Sequence, residues 1–224
     1  MIRLTRVTKT YPLLGMARHT VFRNLSLELP SRTHIGILGR NGAGKSTLLR
    51  LIGGAELPDR GRVESDGSIS PPLGLANGFA VKISGRDNAR FVARICGDDD
   101  DAAQERIRFV REFSELGVFF DRPVETYSSG MRARLAFSIS MSFDYDYYLI
   151  DELTAVGDKR FRDKAERTFK EMKGRASIIM ASHNLAQLRR DCEIGVYLKG
   201  NAVHYYDDIG AAVAAYEHDQ RQAA

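Results

Sequence analysis

Cysteine is scarce in this chain, and long apolar runs are absent from it. Only two of the 224 residues are cysteines, Cys96 and Cys192, which argues against a disulfide-stabilised secreted protein and favours a reducing cytosol. The longest apolar stretches, such as residues 176–181, fall far below the roughly 20 residues that span a bilayer. The first six residues also lack the apolar core of a secretory signal peptide. We therefore expect neither a membrane-spanning segment nor a secretory leader.

A basic tract is missing as well. The formal net charge of +4 is spread along the chain, and no internal repeat or low-complexity tract is evident. This charge suits a phosphate-bearing ligand or an anionic membrane surface, but an ordinary solvated surface is the simpler interpretation. We expect no nucleic-acid partner. At 43% hydrophobic residues, the chain can bury one substantial core.

The first half of the sequence changes character twice. Residues 2–8 and 21–29 alternate as strands do, and a short apolar strand at 34–38 precedes a helical pattern at 44–52. The composition between Ser65 and Phe79 shifts to Gly, Pro, Ser and Asn, which predicts loops and turns. Helical spacing then recurs, and it predicts an inserted helical subdomain at about 72–126 with helices at 86–95 and 101–116.

The remainder of the chain alternates between strands and helices. Such alternation implies a parallel sheet with crossover helices. We expect a single domain over 1–224, whose core is formed by about 1–71 and 127–224. The predicted strands are 147–150, 177–181 and 194–198, and the predicted helices are 129–143, 159–172 and 185–190.

A phosphate loop lies between the strand at 34–38 and the helix that follows. Residues 39–46 match the pattern G-x-x-x-x-G-K-[ST]. Glycines let backbone N–H groups point at phosphates, the helix amino terminus adds positive potential, and Lys45 neutralises the outer phosphates. The hydroxyl of Ser46 is predicted to hold Mg²⁺, so the expected ligand is Mg·ATP. The nucleotide-binding residues predicted here are Gly39, Asn41, Gly42, Ala43, Gly44, Lys45, Ser46 and Thr47.

Two adjacent carboxylates and a histidine follow apolar strands further along the chain. Asp151 is predicted to bind Mg²⁺ through its water shell, and Glu152 to polarise the attacking water as general base. Taken alone, the two carboxylates are better interpreted as a turn with two solvated acids, but the phosphate loop upstream favours the catalytic interpretation. His183 follows another strand, and parallel neighbours would bring it near the γ-phosphate as a second catalytic residue, although a lone histidine is usually structural.

A Ser-x-Gly signature at 128–130 completes a recognisable series. Phosphate loop, signature, Asp-Glu strand end and histidine occur in an order that resembles the nucleotide-binding subunits of ABC transporters, over nearly the whole chain. This resemblance implies an α/β fold of the P-loop NTPase type, with a RecA-like parallel sheet core, an amino-terminal antiparallel β portion and an inserted α-helical subdomain. Without it, the signature would be interpreted only as a helix cap.

Further roles come from the resemblance alone. It implies that the signature contacts the γ-phosphate of ATP bound by a second copy, and that Tyr11 stacks on adenine, although a surface turn tyrosine is nearly as good an interpretation. Asp158 would lie in a loop at the dimer interface. Many relatives carry a glutamine where this chain has Ala80. The signature residues are Ser128, Ser129 and Gly130.

The motif variants narrow the subfamily. The signature Thr-Tyr-Ser-Ser-Gly-Met-Arg at 126–132 and the Val-Gly-Asp at 156–158 look like the ATPases that export bacterial capsular polysaccharide. The resemblance therefore implies an ATPase at the cytoplasmic face of the bacterial inner membrane, peripheral to it. It would form a homodimer with separate polytopic permease subunits and act on polysaccharide only indirectly. The alternatives are an O-antigen or teichoic acid exporter, a soluble ABC-type regulatory ATPase and a non-catalytic scaffold.

Overall fold

The computed structural model describes residues 1–13, 16–72, 79–151, 159–200 and 202–222. These residues form strands and helices joined by loops, with two short 3-10 helices at Gly117–Asp121 and Val124–Thr126. In chain order the elements are β1 (Ile2–Leu13), β2 (Met16–Leu29), β3 (Ile35–Gly39), α1 (Lys45–Ile52), β4 (Arg60–Ser65), α2 (Gly85–Ile95), α3 (Asp100–Ser114), α4 (Ser129–Met141), β5 (Tyr147–Asp151), α5 (Lys159–Lys173), β6 (Ser177–Ala181), α6 (Leu185–Asp191), β7 (Ile194–Lys199), β8 (Ala202–Tyr206) and α7 (Ile209–Gln222).

The elements group into two compact units. The first comprises Met1–Pro72, Tyr145–Glu152 and Lys173–Ala224, and the second comprises Leu73–Asp144 and Leu153–Met172. The second unit extends beyond the helical subdomain expected at about 72–126, because α4 and α5 also belong to it. No helix among the described residues is both long enough and apolar enough to cross a membrane.

Two sheets make up the first unit. The predicted antiparallel portion is a three-stranded sheet in the order β2-β1-β4. The predicted parallel sheet has the order β5-β6-β3-β7-β8, in which β8 pairs antiparallel with β7 at the edge. Strands β3, β5 and β6 are buried along nearly their whole length, as expected for strands covered on both faces.

One apolar core joins both sheets to α1 within this unit. Alternate residues of β1, including Ile2 and Leu4, are fully buried in it, and Leu48 and Leu49 of α1 reach the same cluster. Because burial of a Leu or Ile side chain contributes about 1.5–3 kcal/mol, this core fixes the position of α1 relative to β3. The loop between β3 and α1 is therefore held at both ends.

The second unit is helical, and an aromatic cluster lies in its interior. The rings of Phe113 on α3, Phe137 on α4 and Phe161 on α5 lie with their centroids 5.9–6.1 Å apart. Ring pairs at this spacing and tilt add favourable quadrupole contacts to the area they bury. The cluster ties three helices together.

Side-chain caps define where several helices begin. Ser84 accepts a hydrogen bond from the Asp87 N–H at the start of α2, and Asp99 accepts one from Ala102 at the start of α3. Asn184 caps α6 in the same way. Such caps satisfy N–H groups that have no partner within the helix, and each contributes about 1 kcal/mol.

Candidate functional site

The phosphate loop has the backbone that its glycines predict. It runs from the end of β3 to α1, and Gly42 has a φ of 79°, in the left-handed region that disfavours other residues. A Cβ at Gly42 would meet no atom of the described residues within 4 Å, so it would project into open space. Gly44 is the N-cap of α1 and provides no side-chain cap, and the N–H groups at a helix amino terminus are suited to binding an anion.

Lys45 holds its ammonium group inside this loop. Its side chain is buried, and Nζ donates hydrogen bonds to the carbonyl oxygens of Gly39 at 2.7 Å and Arg40 at 3.1 Å. Both bonds orient the cation toward the loop backbone. The positive charge is therefore already positioned next to the amides that would contact phosphate oxygens.

Parallel pairing brings the predicted carboxylate and histidine to the same edge. Asp151 at the end of β5 pairs with Ala181 at the end of β6, and Ala181 pairs with Ile37 of β3. Ligands of open α/β sheets bind at this carboxyl edge. His183 follows Ala181 by two residues and is exposed.

A cavity of about 380 Å³ lies at this edge, and most of the predicted nucleotide-binding residues line it. Gly39 and Ala43 belong to the loop but do not line the cavity. The hydroxyl of Ser46 and the carboxylate of Asp151 are oxygen donors of the kind that Mg²⁺ prefers, so the lining fits a phosphate-bound magnesium ion. The predicted residues that line it are Tyr11, Asn41, Gly42, Gly44, Lys45, Ser46, Thr47, Asp151 and His183.

The cavity is also lined by five residues that the sequence did not predict: His19, Val21, Arg50, Ala181 and Ser182. Arg50 lies one helical turn after Ser46 on α1, so helical spacing alone indicates that both face the same side. Nothing in the local sequence identifies His19, which reaches the cavity through the pairing of β2 with β1. Tertiary pairing therefore contributes part of the lining.

The signature forms a helix cap in the second unit. Ser128 is exposed, and its Oγ accepts a hydrogen bond from the Met131 N–H at 3.2 Å at the start of α4. Ser128 and Gly130 line a separate cavity of about 350 Å³ with Arg134. Ser129 is the first residue of α4. The signature therefore presents a hydroxyl and a helix amino terminus at one surface.

Residues 22–155 match the sequence family described as ABC transporter, which is more than half of the chain. The chain belongs to the ABC transporter family. The resemblance inferred from the motifs is thereby confirmed, and the α/β fold with its parallel core agrees with it.

The full-length relatives of this ABC transporter chain carry more specific names. It is 46% identical to the polysialic acid transport ATP-binding protein KpsT of Escherichia coli, over 98% of this chain and 100% of that protein. It is 42% identical to the capsule polysaccharide export ATP-binding protein CtrD of Neisseria meningitidis serogroup B, over 96% of this chain and 98% of that protein.

A solved structure supports the ABC fold. The dimeric post-hydrolysis state of the ATP-binding cassette MJ0796, bound to ADP and Pi, superposes with a TM-score of 0.77 at 20% identity. The match covers 93% of this chain and 99% of that one. At this identity the likeness establishes the fold of the ABC chain and nothing about its ligands.

Tyr11 is held at the rim of the nucleotide cavity by a charged network. Its hydroxyl donates a hydrogen bond to Glu56, which also accepts from Arg50 Nη1 at 2.6 Å and pairs with Lys9 Nζ at 3.3 Å. Burial and then the bond to Glu56 raise the pKa of Tyr11. Burial acts to raise the pKa of Glu56, but hydrogen bonds from Tyr11, Arg50 and Lys9 hold it below its usual range. Glu56 is thus ionised and orients both cavity residues.

Ala80 is fixed in place by a buried asparagine, Asn88. The Ala80 N–H donates to Asn88 Oδ1 at 3.0 Å, and Asn88 Nδ2 donates to the carbonyl oxygens of Ala80 at 3.2 Å and Ser84 at 2.9 Å. These bonds connect Ala80 to the start of α2. The predicted general base Glu152 and the predicted interface residue Asp158 lie outside the described residues.

Proposed function

We propose that this chain is the ATP-binding and ATP-hydrolysing subunit of an ABC exporter that drives capsular polysaccharide across the bacterial inner membrane. The observation that carries the proposal is the cavity in which the phosphate loop, Asp151 and His183 meet. Near-full-length similarity to proteins named for capsule polysaccharide export and polysialic acid transport supports the substrate class.

The cavity suits a nucleoside triphosphate. Loop N–H groups and the Lys45 ammonium would balance the phosphate charge, and the half-buried ring of Tyr11 would stack on adenine at the rim. Ser46 and Asp151 would hold Mg²⁺, which supplies charge neutralisation at the phosphate oxygens when bound. Tyr11 would therefore recognise the adenine, and the phosphate loop with Asp151 would recognise the phosphates and their Mg²⁺.

Hydrolysis requires a base for water and a donor for the γ-phosphate. Glu152 follows Asp151 directly in the sequence and would act as general base. His183 lines the cavity from the end of the neighbouring strand and would donate a hydrogen bond to the γ-phosphate. Glu152 would remove the proton from water, and His183 would stabilise the charge on the γ-phosphate.

A second copy would complete the site. In the proposed head-to-tail homodimer, Ser128, Ser129 and Gly130 of one subunit face the ATP that the other subunit binds, and Asp158 lies at the interface. ATP would then drive closure because it contacts both subunits only in the closed state. Separate polytopic permease subunits would hold the dimer at the cytoplasmic face of the inner membrane.

Deletion of the gene in its own host tests the function. We expect surface polysaccharide to disappear, to return with the wild-type gene and not to return with Lys45→Ala, because Lys45 supplies the cation for the phosphates. A tagged wild-type chain should also co-purify a polytopic membrane protein from detergent-solubilised membranes. Unchanged surface polysaccharide after deletion would contradict the export role.

Ser128→Arg tests the proposed dimer geometry. In a Glu152→Gln background, ATP should shift the chain to a dimer in size-exclusion chromatography, and the added arginine should block that shift by filling the signature surface. Gln104→Arg, at an exposed position of α3, is the matched control and should still dimerise. Because Ser128 also caps α4, circular dichroism must show that the variant is folded; a folded variant that still dimerises would exclude this geometry.

A further inference from the structure

A strongly basic cleft is formed by all three strands of the antiparallel sheet. Its volume is about 770 Å³, and four arginines line it: Arg6 from β1, Arg23 from β2, and Arg60 and Arg62 from β4. Three threonines and Asn24 provide neutral hydrogen-bonding groups between them. None of these arginines lines the nucleotide cavity, so the cleft is a separate feature of the first unit.

Irregular backbone builds this cleft. Arg6 has a φ of 49° and Asn24 a φ of 53°, and the pairing of β1 with β4 shifts register between Thr5 and Thr8. Opposite Arg6, a Cβ at Gly61 would lie 2.4 Å from the carbonyl oxygens of Thr5 and Arg6. Only glycine allows this approach. An arginine in the left-handed region is costly, and such conformations cluster where a site needs them.

The charges of the cleft are mostly unbalanced within the chain. Arg62 pairs with Glu64 at 2.8 Å. Across the described residues, the guanidinium groups of Arg6, Arg23 and Arg60 have neither an ion pair nor a hydrogen bond, and all three are exposed. No carboxylate is found among the described residues that line the cleft. Concave walls lined by one sign of charge concentrate the opposite sign, so an anion is favoured here.

The lining also restricts the kind of anion. Guanidinium groups bind phosphate through paired N–H donors, and the threonine hydroxyls can donate to further oxygens. The described lining residues include no aromatic side chain on which a nucleobase could stack and no aliphatic side chain for an acyl chain. We propose that this cleft is a second anion site, which binds a phosphate-bearing polyanion through Arg6, Arg23 and Arg60.

Inorganic triphosphate is the first probe, titrated calorimetrically into the full chain with MgADP saturating the nucleotide cavity. The Arg6→Gln, Arg60→Gln double variant should raise the Kd by about tenfold or more, because two charge-assisted contacts are lost. The Arg108→Gln, Arg162→Gln double variant is the matched control. Both residues are exposed and lie on helices of the second unit, and their substitution removes the same two positive charges. Arg23→Gln, outside the left-handed positions, repeats the test if the double variant is unstable.

Vesicles of phosphatidylglycerol and phosphatidylcholine are the second probe, in a co-sedimentation assay with the same variants. Variant-sensitive binding of triphosphate alone assigns a soluble source of phosphate, and variant-sensitive binding of vesicles alone assigns a lipid headgroup. Absence of binding in both assays would overturn the proposal, and so would an equal loss in the control variant. Because ADP occupies the other cavity, failure here leaves the proposed function unaffected.

Discussion

Gly42→Ala separates the two roles that a phosphate-loop glycine can have. Its φ of 79° strains any residue with a side chain, and its missing Cβ would project into open space beside the nucleotide cavity. Gly54 is a matched control, with a φ of 69°, equally open surroundings and no place in the cavity lining. Both substitutions therefore introduce the same backbone strain, and only one of them introduces an obstacle to phosphate.

The expected magnitudes follow from this difference. Each alanine should lower the free energy of unfolding by about 1–2 kcal/mol, the cost of the left-handed region for a residue with a Cβ. Gly42→Ala should in addition displace the phosphates from a backbone N–H. Loss of one hydrogen bond to a charged group costs about 1.5–3 kcal/mol, which corresponds to a rise in the Kd for ATP of about 10- to 150-fold.

Urea unfolding and isothermal titration calorimetry measure the two effects separately. We expect similar losses of unfolding free energy in Gly42→Ala and Gly54→Ala, and weakened ATP binding only in Gly42→Ala. Wild-type affinity in a folded Gly42→Ala variant would refute the placement of phosphate in this loop. Equal loss of affinity in the Gly54→Ala control would show that strain, not obstruction, was measured.

Two further predictions concern titratable groups around the sheets. Glu56→Gln should raise the KM for ATP about fivefold with little change in kcat, because it weakens the hydrogen bond that orients Tyr11. Tyr11→Phe should reproduce the effect. An unchanged KM would count against the orientation of Tyr11 by Glu56. Burial, and then the nearby Lys173 charge, lowers the pKa of His34, and its Nδ1 accepts from the Ile178 N–H at 3.3 Å. Since the unfolded chain takes up this proton below a pH of about 6.5 and the folded chain resists it, stability should fall as the pH drops through that value. The dependence should flatten in His34→Gln, and identical urea midpoints against pH in both proteins would contradict it.

Local patterns predicted the part of the site that depends on contiguous residues. The phosphate loop needs glycines at fixed spacing between a strand and a helix, and both flanking elements, β3 and α1, have clear apolar periodicity. Asp151 and His183 were also predicted, because carboxyl ends of parallel strands share an edge. The phosphate loop is one contiguous segment, and Asp151 and His183 could be predicted because each follows an apolar strand in the sequence.

The elements that were missed lack such a pattern. Strand β4 has only one half-buried apolar residue, Val63, and is held by backbone pairing with β1. The residues of β8 are mostly exposed, and α7 buries only Ile209, Ala212 and Val213, all in its first half, so its apolar periodicity is weak. Loops and turns were predicted from Ser65 onward, and Ser65 is the last residue of β4, so the strand itself was not predicted. Apolar periodicity in a sequence arises where one face of an element is buried. A strand at the edge of a sheet that buries few side chains therefore shows no such pattern.

Pairing between separate elements explains the missed side chains. His19 enters the nucleotide cavity only because β2 pairs with β1, and Glu56 reaches Tyr11 across 45 positions of sequence. The arginines of the basic cleft are similarly distant in the chain and meet through three strands. Tyr11 and Glu56, and the arginines of β1 and β4, are too far apart for a short window of the sequence to contain both, whereas His19 is eight positions from its strand partner Tyr11.

Steady-state hydrolysis of MgATP by the purified chain and by its Glu152→Gln variant measures the proposed ATPase activity itself. We expect both proteins to bind MgATP, and we expect the variant to lose about 100-fold or more of the turnover, because it lacks the proposed general base that follows Asp151 in the sequence. Lys45→Ala, assayed in parallel, should lose nucleotide affinity itself. Unchanged hydrolysis by Glu152→Gln would contradict the role of Glu152, and failure of the wild-type chain to bind MgATP would contradict the proposed ATPase function.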